Sequence, residues 1–171
     1  MQLLHIPFTV VTIEGIDESY PEGLEAEKVS EYISNKKADE FLKRIGADEL
    51  IITADTVVIC EGKILGKPKD KEDAVKMLQF LSGKTHKVTT GVTIATKEKR
   101  VSFSSESLVT FADLTEGEIR YYVDTFHPFD KAGAYGIQEW IGAVAVAKID
   151  GSFYNVMGLP VHRLYQALKD F

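Results

Sequence analysis

The chain has 171 residues, the length of one domain, with 44% hydrophobic and 27% charged residues, a globular balance that excludes disordered and coiled-coil readings. Twenty Lys and Arg against 26 Asp and Glu give a net charge of −6, so there is no basic footprint for a nucleic acid polymer. A small anionic ligand would need a few placed lysines or a divalent cation.

The single cysteine, Cys60, excludes an internal disulfide and a Cys-based zinc site, which fits a reducing cytoplasm. Nothing near Met1 has the order of a signal peptide, and no apolar run reaches the roughly 18–20 residues of a membrane span. A soluble single unit over residues 1–171 is expected, without repeats or low-complexity segments.

In chain order, the β-branched and aromatic run Ile6–Ile13 predicts a strand, followed by a loop that carries Glu14, Asp17 and Glu18. Helical spacing of Ala26, Val29, Ile33, Phe41 and Leu42 predicts a helix over Glu25–Ile45, with Lys36 and Lys37 midway. Leu50–Cys60 is almost wholly apolar and β-branched, a strand buried on both faces. Glu61-Gly62 turns it into a hairpin through Lys63–Leu65 that exits at Gly66-Lys67-Pro68.

A second helix is expected from Asp70 to Gly83, its acidic first turn suited to the helix dipole. His86–Thr96 and Val101–Phe111 predict an antiparallel ribbon around the turn Lys97–Arg100. Thr115-Glu116-Gly117-Glu118 is a capping box opening a helix to Asp124. The Gly-rich stretch His127–Gln138 reads as a loop, Ala143–Ile149 and Phe153–Val156 as strands, and Pro160 as the start of a final helix.

Asp55 is the sharpest anomaly, because an aspartate inside an apolar strand loses hydration unless a cation or hydrogen bonds replace it. Two readings stand: a structural Asp at a bulge, or a carboxylate that holds a metal ion or activates water. Lys67 follows one hairpin later, so the two can return to one end of the sheet and hold opposite ends of a metal–phosphate group. Ser82-Gly83-Lys84-Thr85 imitates the tail of a P-loop, but Leu78 stands where that motif needs its first glycine. In the loop Asp130–Gln138, two glycines, an ion pair that includes Lys131, and the amide of Gln138 form either an ordinary turn or a surface that reads a base edge. The four histidines are scattered, so no His-built metal site is expected.

The strings ADTVV (54–58), GKP (66–68), LSGKTH (81–86), DKAGAYGIQ (130–138) and MGLP (157–160), in this order, resemble the Maf-like nucleotide pyrophosphatase family from about residue 3 to residue 171. The resemblance implies an α/β fold of the Maf and inosine-triphosphatase type, an elongated mixed β-sheet flanked by helices with a nucleotide cleft between two lobes. It implies hydrolysis of a nucleoside triphosphate to the monophosphate and pyrophosphate with Mg²⁺ or Mn²⁺, and a homodimer. Carried over by position, Asp55 matches the catalytic and metal-binding acid, Lys67 a phosphate-binding lysine, Lys37 a second phosphate contact, and Glu18 a second carboxylate near the metal. The ending Gly136-Ile137-Gln138 is similar to members acting on dTTP and UTP, which makes Thr56, Gln138 and Lys131 candidates for substrate binding. A 7-methyl-GTP or other modified-purine pyrophosphatase, and a catalytically weakened nucleotide-binding module tied to cell division, are the alternatives. The family's opening strand and Ser-x-Ser-Pro-Arg-Arg loop have no counterpart in these 171 residues, and the charge-assisted contacts of those arginines are expected to be missing.

Overall fold

The computed structural model describes residue 1 and residues 4–171. Five strands form one sheet in the order β2-β1-β3-β4-β5, every neighbouring pair antiparallel. Their bounds are β1 Ile51–Cys60, β2 Lys63–Leu65, β3 Thr85–Ala95, β4 Arg100–Phe111 and β5 Val146–Asp150. Helices flank the sheet: α1 Ala26–Leu42, α2 Lys71–Leu81, α3 Glu116–Phe126, α4 Trp140–Ala145, α5 Phe153–Val156 and α6 Val161–Asp170. No helix among the described residues is long and apolar enough to cross a membrane.

Alternation along β1 divides its side chains between two packed faces. On one, Val57 and Ile59 meet Val29 and Ile33 of α1. On the other, Val58 and Cys60 join Val88 in a larger core closed by Ala74, Val75, Leu78 and Leu81 of α2, Ile119, Tyr122 and Val123 of α3, and Ile141 of α4. This double coverage is why the segment reads as continuously apolar. A third cluster, Val92, Ile94, Phe103 and Leu164, seats α6 against the far end of the sheet.

Helix α1 lies unusually close to β3. A Cβ on Gly91 would come within 2.2 Å of the backbone N of Glu31, so only glycine admits the helix at this distance. The close seam is polar: Ser34 Oγ lies 2.9 Å from Thr93 Oγ1, and Thr53 donates to Ser34 O at 2.7 Å, while the buried Ser30 hydroxyl is left without a partner. Gly91 is the register partner of Asp55, so this approach also brings α1 over the strand that carries that carboxylate.

Local signals set the other ends. Asp70 caps α2 by accepting from Asp73 N, and Thr115 with Glu118 closes the capping box of α3. Glu61 and Gly62 both take positive φ, 49° and 75°, as a two-residue hairpin turn requires.

Four sequence expectations are corrected. Ile6–Ile13 pairs with no strand and lies open to solvent, with Val10 76% exposed; its β-branched pattern finds no neighbouring edge among the described residues. The run expected as a strand over Ala143–Ile149 is helical to Ala145 and joins the sheet only from Val146, because a short apolar run rich in alanine suits a helix turn as well as a strand. Phe153–Val156 is one helical turn, since the Ser152 hydroxyl caps it by accepting from Asn155 N. Helix α1 ends at Leu42, three residues before Ile45.

Candidate active site

A cleft of 620 Å³ opens beside β1 and is lined by Glu18, Lys37, Asp55, Thr56, Lys67, Lys131 and Gln138. The seven residues given catalytic, metal or substrate roles in the sequence analysis therefore reach one cavity, whereas the loop carboxylates Glu14 and Asp17 do not. Asp55 and Thr56 are consecutive on a strand and point to opposite faces of the sheet, yet both line it. The cleft wraps the rim of β1 where strand cover stops: β2 pairs only with Val58–Cys60, leaving the rim at Asp55 and Thr56 open.

At its charged end, Lys37 Nζ donates to Asp55 Oδ1 at 2.7 Å and lies 2.9 Å from Glu18 Oε1. Lys67 Nζ approaches Glu18 Oε2 at 3.3 Å. Burial grades across this chain of charges, with side-chain exposure of 12% at Asp55, 19% at Lys37, 41% at Glu18 and 56% at Lys67. Burial pushes the Asp55 carboxyl above the ordinary aspartate range; Lys37 pulls the other way and Glu18 adds to the upward push. For Lys37, burial works against the charged form, but Asp55 and Glu18 together outweigh it and hold the ammonium above its usual value. Burial also opposes ionisation of Glu18, and Lys37 and Lys67 overcome it, so that carboxyl is lowered.

Of the other loop carboxylates, Asp17 turns outward to Lys36 at 2.9 Å, and Glu14 is exposed and stays outside this cleft.

On the opposite wall, Lys131 Nζ lies 2.9 Å from Asp130 Oδ1 and 3.2 Å from Glu139 Oε1. Tyr122, buried on α3, donates to Glu139 and accepts from Gly136 N at 3.0 Å, fixing the loop from behind. A 3₁₀ turn at Ala132–Ala134 adds a second tether: Gly133, at φ 68°, donates to Gly66 O at 3.0 Å beside Lys67. Gln138 is exposed at the mouth. Tyr122 and Glu139 were not singled out from the sequence; Tyr122 reads there as an ordinary apolar position of an amphipathic helix. Thr90, which hydrogen-bonds Thr56, was missed for a similar reason, being one hydroxyl in a Thr-rich strand.

Asp55 and Glu18 offer hard oxygen donors on either side of one ammonium group. No group of three or more His, Cys, Asp or Glu that could hold a metal ion occurs among the described residues. Two carboxylates suit a hard divalent cation whose shell is completed by water and substrate phosphate.

A cleft with three carboxylates, Glu18, Asp55 and Asp130, and three lysines along the rim of an antiparallel sheet suits a hydrolase that handles a phosphorylated polyanion. The chain belongs to the Maf family: the family model described as Maf-like protein matches residues 1–171. It is 53% identical over 170 residues to a protein of Porphyromonas gingivalis named dTTP/UTP pyrophosphatase, covering 98% of this chain and 85% of that one. A Bacteroides thetaiotaomicron protein of the same name is 53% identical over 169 residues, 99% of this chain and 88% of that one. One from Christiangramia forsetii, also so named, is 45% identical over 169 residues, 99% and 86% of the two chains.

Proposed function

We propose that this protein is a nucleoside triphosphate pyrophosphatase that hydrolyses dTTP and UTP to the monophosphate and pyrophosphate, with residues 1–171 acting as one catalytic unit. The similarity to relatives so named, along nearly the whole chain, supports the activity. The observation that carries the site is the Asp55–Lys37–Glu18 chain of contacts at 2.7 and 2.9 Å inside the cleft.

Asp55 acts on the attacking water. It takes a proton from water as the oxygen forms a bond to the α-phosphorus. The bond from that phosphorus to the bridging oxygen breaks, and pyrophosphate leaves with the electron pair. As Asp55 takes the proton and becomes neutral, Lys37 turns its charge to the phosphoryl oxygens, while Lys67, half-exposed and only 3.3 Å from Glu18, exchanges that weak pairing for a phosphate oxygen. Lys131 reaches the nucleotide from the facing loop. Asp55 and Glu18 would hold the divalent cation, which supplies charge neutralisation at the phosphates. Thr56 and Gln138 contact the base. The family resemblance extends the proposal to a cytoplasmic homodimer.

The test is pyrophosphate release from dTTP and UTP with Mg²⁺ or Mn²⁺. Asp55→Asn removes the proton acceptor and keeps the shape, and release is expected to fall by at least about 10²-fold. A variant as fast as the parent refutes the assignment of Asp55.

A further inference from the structure

We propose that Thr90, a buried residue of β3, fixes the direction of the Thr56 hydroxyl so that Thr56 presents only lone pairs to the cleft, making it a reader of the N3–H of uracil and thymine. The inference rests on the pyrimidine reading above and names the means by which that site rejects cytosine.

The hydroxyl protons between β1, β3 and α5 have a single consistent arrangement. Thr90 Oγ1 donates to the backbone carbonyl of Asn155 at 3.0 Å, and a carbonyl can only accept. Thr90 is fully buried and has one hydroxyl proton, which that bond uses. Thr56 Oγ1 lies 2.9 Å from Thr90 Oγ1, so in the arrangement that satisfies all three groups Thr56 is the donor. What Thr56 turns toward the cleft is its remaining acceptor capacity.

The carbonyl at the end of the relay is held firmly. Asn155 sits in α5 with its side-chain amide donating to Val88 O at 3.1 Å and to Ser107 Oγ at 3.0 Å. The same carbonyl accepts from Gly158 N at 2.9 Å. Gly158, at φ 101°, borders the cleft, and a Cβ there would stand 3.4 Å from Thr56 Oγ1. Glycine thus keeps the space before that hydroxyl clear.

A locked acceptor supplies what Gln138 cannot. The exposed Gln138 amide carries both a donor and an acceptor and can turn either way, so it matches a carbonyl or an amino group equally. Uracil and thymine bring an N3–H to Thr56, whereas cytosine brings a lone pair, which meets another lone pair. In Thr90→Val the relay is cut. The Thr56 proton is then free to turn into the cleft and donate to the cytosine nitrogen.

The test compares binding of the α,β-methylene analogues of UTP and CTP to the parent, Thr90→Val and Thr90→Ser by calorimetry with Mg²⁺. The parent is expected to favour the uracil analogue, Thr90→Val to reduce that preference about tenfold, and Thr90→Ser to keep it within about twofold. In turnover the change should fall on KM and leave kcat in place. An undiminished preference in Thr90→Val, or no preference or no binding in the parent, overturns the proposal. Should Thr90→Val not fold, Thr56→Val serves instead, and a preference equal to the parent's again overturns it. Base discrimination that disappears with Thr90→Val in a protein that releases no pyrophosphate supports the relay and refutes the pyrophosphatase reading alone.

Discussion

Lys37 Nζ donates to Asp55 Oδ1 at 2.7 Å across 18 residues of sequence, one side chain rising from the middle of α1 and the other from the rim of β1. Neither group is well hydrated, so each depends on the other: Lys37 without a carboxylate, or Asp55 and Glu18 without a cation, would be a costly arrangement. A double-mutant cycle of Lys37→Met and Asp55→Asn, followed by urea denaturation at pH 7, is expected to show a coupling of about 1–3 kcal/mol. Additive effects would mean that the contact contributes nothing to the fold.

The glycine opposite Asp55 makes that pair possible. Adding a methyl at Gly91 drives a Cβ into the backbone of Glu31, which cannot rotate away as a flexible side chain could. Gly91→Ala is expected to cost about 3 kcal/mol or more, the upper end for overpacking, and to weaken catalysis by lifting Lys37 off Asp55. A crystal structure or thermal melt indistinguishable from the parent would contradict this.

The capping box of α3, the β1 run and the β3–β4 ribbon are legible because their signals are local: Thr115 and Glu118 are three residues apart, and β3 and β4 are joined by one charged turn. The boundary at Ala145 and Val146 is not, since Ile141–Ile149 fits both periods and only packing on α3 and pairing with β4 divide it. Asp55 is legible as a charge in an apolar strand and Gln138 as an amide in a Gly-rich loop, while Lys37 and the metal-side role of Glu18 come through family resemblance. Residues that act through a neighbour, such as Thr90 through Thr56 and Tyr122 through Glu139, leave no local pattern, because their partners lie 34 and 17 residues away.

Tyr122 gives the third prediction. Tyr122→Phe leaves the buried N–H of Gly136 without its acceptor and frees Glu139 from behind Lys131. An unsatisfied buried amide costs about 1–3 kcal/mol. The variant should melt lower and show a raised KM for the nucleotide with a smaller change in kcat, measured by steady-state kinetics. Unchanged KM would separate the loop from substrate binding.

His86 predicts how stability depends on acid. It is buried between Phe111 and Tyr135, with Nε2 2.8 Å from the Tyr135 hydroxyl and no partner at Nδ1. Burial pulls its pKa down to about 4. The unfolded chain binds a proton near pH 6.5 and the folded chain does not, so His86 makes no difference above pH 6.5 and destabilises progressively as pH falls toward 4. The full difference is about 3 kcal/mol. His86→Phe should flatten the stability curve across that window, by denaturation at a series of pH values. Parallel curves for parent and variant would place the titration elsewhere.

What leaves the cleft identifies the bond that is broken. We would follow UTP turnover by phosphorus NMR with Mg²⁺ for the parent and Asp55→Asn. Equimolar UMP and pyrophosphate from the parent, and almost none from the variant, is the predicted result. UDP with orthophosphate, or equal turnover by the two proteins, would contradict it.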